Sequence, residues 1–358
     1  MPRKKLTNDH LPIKRVSLAG NQPPATGEGI RLAIYQGQGW VGDKQAITKN
    51  IKILENAAQM ASYEFQAQLL LLPELFLCGY NICPNDVSNI VLTEDELIPQ
   101  IGEIAQSNNI AIVCPYAEID ADERCYDAIM LIDRNGTKLR NYRKTQLWGN
   151  DEKRNWWYPY VDEPEDAYAV NQVNGINVGM LNCYEAEFPE LSRILALKGA
   201  QLVVIPTAAD VATLEPNNCG KFDPKGEWTD WAYPDVSKTA IPGNAYQNKM
   251  FVAYANHALL EKRSSGELSA IYLGNSAIAD PYGQLLVAAD NVETLLIADC
   301  VPGNYTCTHP DGQSDYIKDR RPNLYHQLTS MKVTLPDGSI YDYPEDPNQG
   351  YDIGNQLM

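Results

Sequence analysis

Three residues of this chain stand where an apolar run breaks off, and each carries a side chain that can do chemistry. Glu74 follows Leu69-Leu-Leu-Leu72 and Pro73 and is flanked by Leu75 and Phe76. Lys144 ends Asn141-Tyr-Arg-Lys144, and Cys183 follows Asn177-Val-Gly-Met-Leu-Asn182. In open α/β sheets, ligands collect outside the carboxyl ends of the strands, where such residues would sit. Glu74 alone could be a helix-start carboxylate. Its apolar flanks, however, would desolvate it, and a desolvated carboxyl has the raised pKa of a base useful near neutral pH. Most cysteines are small buried hydrophobes. Cys183 differs in its predicted strand–turn–helix junction, where a helix N-terminus would favour a thiolate nucleophile. Lys144 taken alone reads as a solvated hairpin charge beside Arg143. The company of a base and a nucleophile makes it a candidate reaction-centre cation.

The elements that must position these residues follow from periodicity. Arg31-Leu-Ala-Ile-Tyr35 suits a strand. Residues 43–67 have helical spacing, with Ile47, Ile51, Leu54, Ala58 and Met60-Ala61 on one side. The leucine run before Pro73 reads as a strand buried on both faces. A helix over 94–106 and a strand over 110–114 come next. Residues 127–133 and 137–142 form a hairpin, because Asn135-Gly136 supplies the positive φ values of a tight turn. Strands at 176–181 and 201–205 bracket a helix at 188–198, and 245–255 passes from helix into strand. A second hairpin turns at Asp280-Pro-Tyr-Gly283, and 295–299 closes the core.

Residues 207–235 read as a long loop bearing Trp228, Trp231 and Tyr233; such loops are often functional. The alternation has no Pro/Gly linker within it, which predicts one α/β domain with a mixed sheet. Its expected bounds are 30–328. Residues 1–29 read as a polar, flexible arm, and 329–358 as an extension that hugs the surface or contacts another subunit.

Composition narrows the function. A net charge of −17 over 358 residues argues against binding nucleic acid, which needs clustered Lys and Arg. The eight cysteines form no CxxC pair and the four histidines are scattered, so the sequence offers no zinc site. No secretory signal is found, which predicts reduced thiols and a cytoplasmic protein. The longest apolar stretch, residues 68–80, is too short to span a membrane.

The segments around the three reactive residues resemble the signature blocks of the nitrilase (carbon–nitrogen hydrolase) superfamily. They are Pro73-Glu-Leu-Phe-Leu-Cys-Gly-Tyr80, Tyr142-Arg-Lys-Thr-Gln-Leu147 and Cys183-Tyr-Glu-Ala-Glu-Phe-Pro-Glu190, in the family's order. Asn275 to Gly283 and Asp319-Arg-Arg-Pro-Asn-Leu-Tyr325 are similar to the family as well. The resemblance implies a four-layer αββα sandwich that dimerises to eight layers. It implies Glu74 as general base and acid, Lys144 as the cation on the oxyanion, and Cys183 as nucleophile. Glu152 matches a second glutamate, with Asp151 as the alternative, and Tyr184 would lend its backbone N–H to the oxyanion hole. No metal or organic cofactor is implied. One departure is Ala245-Tyr-Gln-Asn248, where many relatives carry glutamate in place of Gln247.

Tyr184 after the nucleophile, rather than tryptophan, points to amidases over nitrilases proper. Several segments are most similar to the linear-amide branch that includes 5-aminopentanamidase. The expected substrate is therefore a small linear amide, with an ω-amino amide leading. Tyr80, Glu187, Glu118 and Trp228 are candidate substrate contacts; Glu118 could equally be a surface carboxylate, and Trp228 could pack its loop onto the domain. The rivals are an N-carbamoyl-amine hydrolase, a nitrilase, and a silent oligomerising scaffold. The last would lack one of Glu74, Lys144 and Cys183, and all three are present.

Overall fold

The computed structural model describes residues 13–159, 167–213, 235–305 and 313–348. Two sheets form its frame. The first runs β1 (Lys14–Leu18), β17 (Thr294–Cys300), β2 (Ile30–Gln36), β4 (Leu69–Leu71), β5 (Ala111–Ile119), β6 (Cys125–Ile132), β7 (Lys138–Arg143). The second runs β16 (Leu285–Ala288), β15 (Ala277–Ala279), β12 (Phe251–Asn256), β10 (Leu202–Thr207), β9 (Ile176–Met180), β8 (Val170–Val173). Parallel pairs form the centres: β2–β4–β5 in one sheet and β9–β10–β12 in the other. Parallel strands need both faces covered, and every residue of β2, β4, β10 and β12 is buried.

Alternation along each strand divides its side chains between two cores. Ile34, Leu71, Val113 and Leu131 point between the sheets, against Val178, Val204, Phe251 and Ile278. Ala33, Leu70, Ile112 and Met130 point outward and are covered by Leu54 and Ala58 of α1 (Lys44–Phe65) and Leu97 and Ile101 of α3 (Glu94–Asn108). Across the molecule, Leu195 of α5 (Pro189–Leu197) and Ile241 of α6 (Ala240–Asn248) cover Val203, Ile205 and Val252. The order is helix, sheet, sheet, helix, the four layers anticipated. The helix starts are specified locally. Asp43 accepts from the Ala46 N–H, and Thr93 and Glu96 form a capping box. The short α2 (Val87–Ile90) packs Val87 and Ile90 against Val41, Ile47 and Leu75, and the short α4 (Gly149–Asn155) brings Glu152 to the site.

Both anticipated hairpins are present, β6–β7 and β15–β16. Three features differ from expectation. A four-stranded sheet, β11 (Asp210–Thr213), β14 (Leu268–Leu273), β13 (Ala258–Arg263) and β3 (Gly39–Val41), has no counterpart in the sequence reading. The polar arm is docked from residue 14 onward, because β1 pairs parallel with β17 at the sheet edge. An edge strand with exposed side chains has no apolar face for periodicity to reveal. Cys83 is disulfide-bonded, so the expectation of reduced thiols fails there. Among the described residues, no helix is long and apolar enough to cross a membrane.

Candidate active site

Strand direction brings the reactive residues to one edge. β4 is parallel to β5, and β7 is antiparallel to β6, itself antiparallel to β5. Glu74 and Lys144 therefore follow the carboxyl ends of two strands pointing the same way, and Cys183 follows β9 in the facing sheet. Both turns are tight. Leu75 has φ 47° and Cys183 φ 52°, left-handed values that only a determined surrounding imposes on such residues. Two contacts hold the Glu74 turn: its N–H donates to the Thr207 carbonyl of β10 at 3.3 Å, and its carbonyl meets His257 Nε2 at 2.6 Å.

Lys144 Nζ lies 2.6 Å from Glu74 Oε1 and 2.8 Å from both Glu152 oxygens. Glu152, on α4, also accepts from Tyr80 Oη at 2.6 Å and the Trp148 N–H at 2.8 Å. The structure thus selects Glu152; Asp151 is paired with Arg154 on the surface. Burial would drain the charge from Lys144, but Glu152 and Glu74 outweigh it and hold the ammonium well above its ordinary pKa. Burial raises the Glu74 carboxyl against the opposing pull of Lys144.

Cys183 departs from the sequence reading. It opens a five-residue 3₁₀ turn, Cys183–Glu187, and the α-helix begins only at Pro189. No helix dipole lowers its pKa: burial, then the Glu74 charge, push the thiol well above the ordinary value. Cys183 rests as a thiol, not a standing thiolate.

Tyr80, Trp148, Glu187, Val236 and Tyr254 line the cleft onto which Cys183 opens. The Glu187 carboxylate makes no hydrogen bond or ion pair among the described residues, and its pKa is raised by burial. Tyr184 packs edge-on against Phe188. Glu118 is elsewhere: its carboxylate is buried and clamped by Arg143 and by Asn141 Nδ2, so it is a structural anchor of β7 and not a cleft residue. Trp228 lies outside the described residues.

Two residues that periodicity passed over complete the site. Glu185 accepts from Tyr142 Oη, the Thr145 N–H and the Asn182 N–H at 2.6, 2.6 and 2.7 Å, which locks the lysine turn to the cysteine turn. Asp127 is buried beside Lys144. Glu185 is one of three acids in its signature segment, which gave it no separate signal, whereas Asp127 is the lone acid of an apolar strand.

The carbon-nitrogen hydrolase family profile matches residues 31–308. A "Hydrolase in pqqF 5'region" of Pseudomonas protegens is 33% identical over 84% of this chain and 92% of its own length. An (R)-stereoselective amidase of a Pseudomonas species is 27% identical over 75% of this chain and 84% of its own. Among solved structures, an amidase variant from Nesterenkonia sp. AN1, carrying the acetamide moiety of fluoroacetamide on its active-site cysteine, superposes with a TM-score of 0.65. It is 28% identical and covers 86% of this chain and 99% of that one. The chain therefore belongs to the carbon–nitrogen hydrolase family, as an amidase of the nitrilase superfamily.

Proposed function

We propose that the enzyme hydrolyses a small linear carboxamide to its acid and ammonia through a thioester on Cys183. The observation that carries this reading is the cluster at the strand ends, where Glu74 and Glu152 hold a buried ammonium and the Cys183 thiol lines the neighbouring cleft. Glu74 takes the thiol proton as sulfur attacks the amide carbon. Lys144 Nζ and the Tyr184 N–H hold the oxyanion. Glu74 returns the proton to the departing nitrogen, the C–N bond breaks, and ammonia leaves a thioester. Water then gives a proton to Glu74 and attacks; the C–S bond breaks, and the sulfur recovers the proton. Glu152, held by Tyr80 and Trp148, fixes the ammonium against the base.

The free carboxylate of Glu187 at the cleft wall supports a substrate whose far end is cationic, an ω-amino amide such as 5-aminopentanamide. Tyr80 and Tyr254 supply walls for its methylene chain. The reading further takes the chain as a homodimer or larger homo-oligomer, one domain over residues 30–328 with its C-terminal extension at the subunit contact. Exposed Met331, Leu335 and Ile340 on that extension support it.

The test is ammonia release from linear amides, ω-amino amides, N-carbamoyl amines and nitriles, with wild type beside Cys183→Ala and Glu187→Gln. Wild type should prefer the ω-amino amide, Cys183→Ala should be silent, and Glu187→Gln should lose the preference for the amine. Carbon dioxide released with the ammonia would name a carbamoyl substrate instead.

A further inference from the structure

One ionisable group at the reaction centre has no part in these steps. Asp127, near the start of β6, is 1% exposed. Its carbonyl accepts from the Lys144 N–H at 2.8 Å, and its Oδ1 from Asn182 Nδ2 at 2.9 Å, the residue before the nucleophile. Its Oδ2 lies 3.6 Å from Lys144 Nζ. Asp127 Oδ2 and Glu74 Oε2 are both buried, and among the described residues neither receives a hydrogen bond.

Oxygens of Glu74, Asp127 and Glu152 lie within 4.8 Å of one another. Such a triplet could hold a metal ion, but the Lys144 ammonium already occupies its centre. One ammonium cannot balance three buried carboxylates, and like charges this close do not all ionise. A proton must reside among them. Glu152 is saturated with donors, and the ammonium lies 2.6 Å from Glu74 but 3.6 Å from Asp127, which leaves Asp127 the least compensated of the three.

We propose that this proton resides on Asp127, so that Asp127 Oδ2 donates to Glu74 Oε2 and keeps Glu74 as the ionised base. Burial, and then the Glu74 charge, push the Asp127 carboxyl well above its ordinary range, while the bond it donates draws Glu74 down. Asp127 is a positioning residue. It orients Glu74 from the side opposite Lys144 and ties it through Asn182 to the cysteine turn. The ionisable groups facing it are Glu74 after β4, Lys144 after β7, Glu152 on α4 and the buried Cys78 thiol.

The inference rests on the reading of Glu74 as base, so its test carries Glu74→Gln alongside. The measurement is the pH profile of kcat/KM for ammonia release from the best amide of the panel. Asp127→Ala deletes the donor. Its acid limb should move up by about one pH unit or more, with kcat falling roughly 10²-fold. Asp127→Asn keeps the shape and an N–H for Glu74 Oε2, and should recover about tenfold or more of that loss with the acid limb restored. An acid limb that moves down in Asp127→Ala would mean an ionised Asp127 repelling Glu74, and overturns the proposal. An unmoved limb with lost activity, or Asn no better than Ala, overturns it too. If Asp127→Ala does not fold, infrared difference spectra of wild type against Asp127→Asn decide: the carbonyl stretch of a protonated carboxylic acid should be present in wild type and lost in the variant, and its absence from wild type refutes the assignment. Turnover by Glu74→Gln would overturn the base reading alone, leaving the Asp127 proton to the infrared result.

Discussion

At the scale of single residues, the site separates two tasks that one cation could confuse. Lys144 is held as an ammonium by Glu152 and Glu74, while Cys183 is kept a thiol by burial and by the carboxylate beside it. In the proposed reaction the sulfur becomes nucleophilic only as Glu74 takes its proton, which suits a thiol in an apolar cleft. Lys144→Ala should lower kcat by ~10²–10³-fold through the lost oxyanion donor. It should also cost about 3–5 kcal/mol of stability, because Glu74 and Glu152 would be left buried without their cation. Ammonia release and urea unfolding measure the two effects separately; a stable, active variant would remove Lys144 from the centre. Glu74 and Cys183 were legible because each follows an apolar strand, and Lys144 because of their company and its signature segment. Asp127 and Glu185 were not, since their roles exist only where two sheets and three turns meet. Glu118 misled because a lone acid at a strand end reads alike whether it faces a cleft or, as here, Arg143.

At the scale of elements, β13 carries a buried Glu261 and follows a buried His257, and the two brace opposite sides of the Glu74 segment. His257 meets the Glu74 carbonyl, whereas Glu261 accepts the Tyr80 and Asn81 N–H groups at 2.7 and 3.1 Å. Burial lowers the His257 pKa from 6.5 to about 4 and raises that of Glu261 from 4.5 to about 7. The signs are opposite. The depressed histidine contributes stability that is full above pH 6.5 and lost as pH falls toward 4. The raised glutamate contributes stability that is full below pH 4.5 and lost as pH rises through 7. Between pH 7 and 5 the two nearly cancel. Glu261→Gln should therefore lose about 2 kcal/mol more than wild type on that descent, and His257→Asn should lose about 2 kcal/mol less. Urea midpoints at the two pH values check this; the reverse ordering would contradict the assigned pKa directions. The long helices and central strands were legible from periodicity. β3, β11, β13 and β14 were not, since they are short or only half-buried and their sheet is assembled from distant segments.

At the scale of the whole molecule, the site depends on two sheets closed face to face, with residues 14–22 fastened to the first. Arg31, 3% exposed, clamps Asp299 of β17 through two bonds of 2.6 and 2.9 Å. It also donates to the carbonyls of Phe65 at the end of α1 and of Gly20 and Gln22 in the N-terminal segment. Arg31→Ala takes the guanidinium from these carbonyls and leaves the Asp299 carboxylate only the Gly20 N–H, and should cost about 3 kcal/mol or more. Thermal or urea unfolding reads that loss, and kcat should stay within about threefold because the site lies at the other ends of these strands. The four-layer architecture was legible from the order of elements together with the signature segments; the docking of residues 14–18 was not, because it is carried by backbone pairing. The central claim is a covalent acyl group on one sulfur. Intact-protein and peptide mass spectrometry of enzyme quenched during turnover of a linear amide tests it most directly. The account predicts an added acyl mass, with ammonia lost, on the peptide containing Cys183 and none in Cys183→Ala. Undiminished turnover by Cys183→Ala, or the acyl group on another residue, would contradict it.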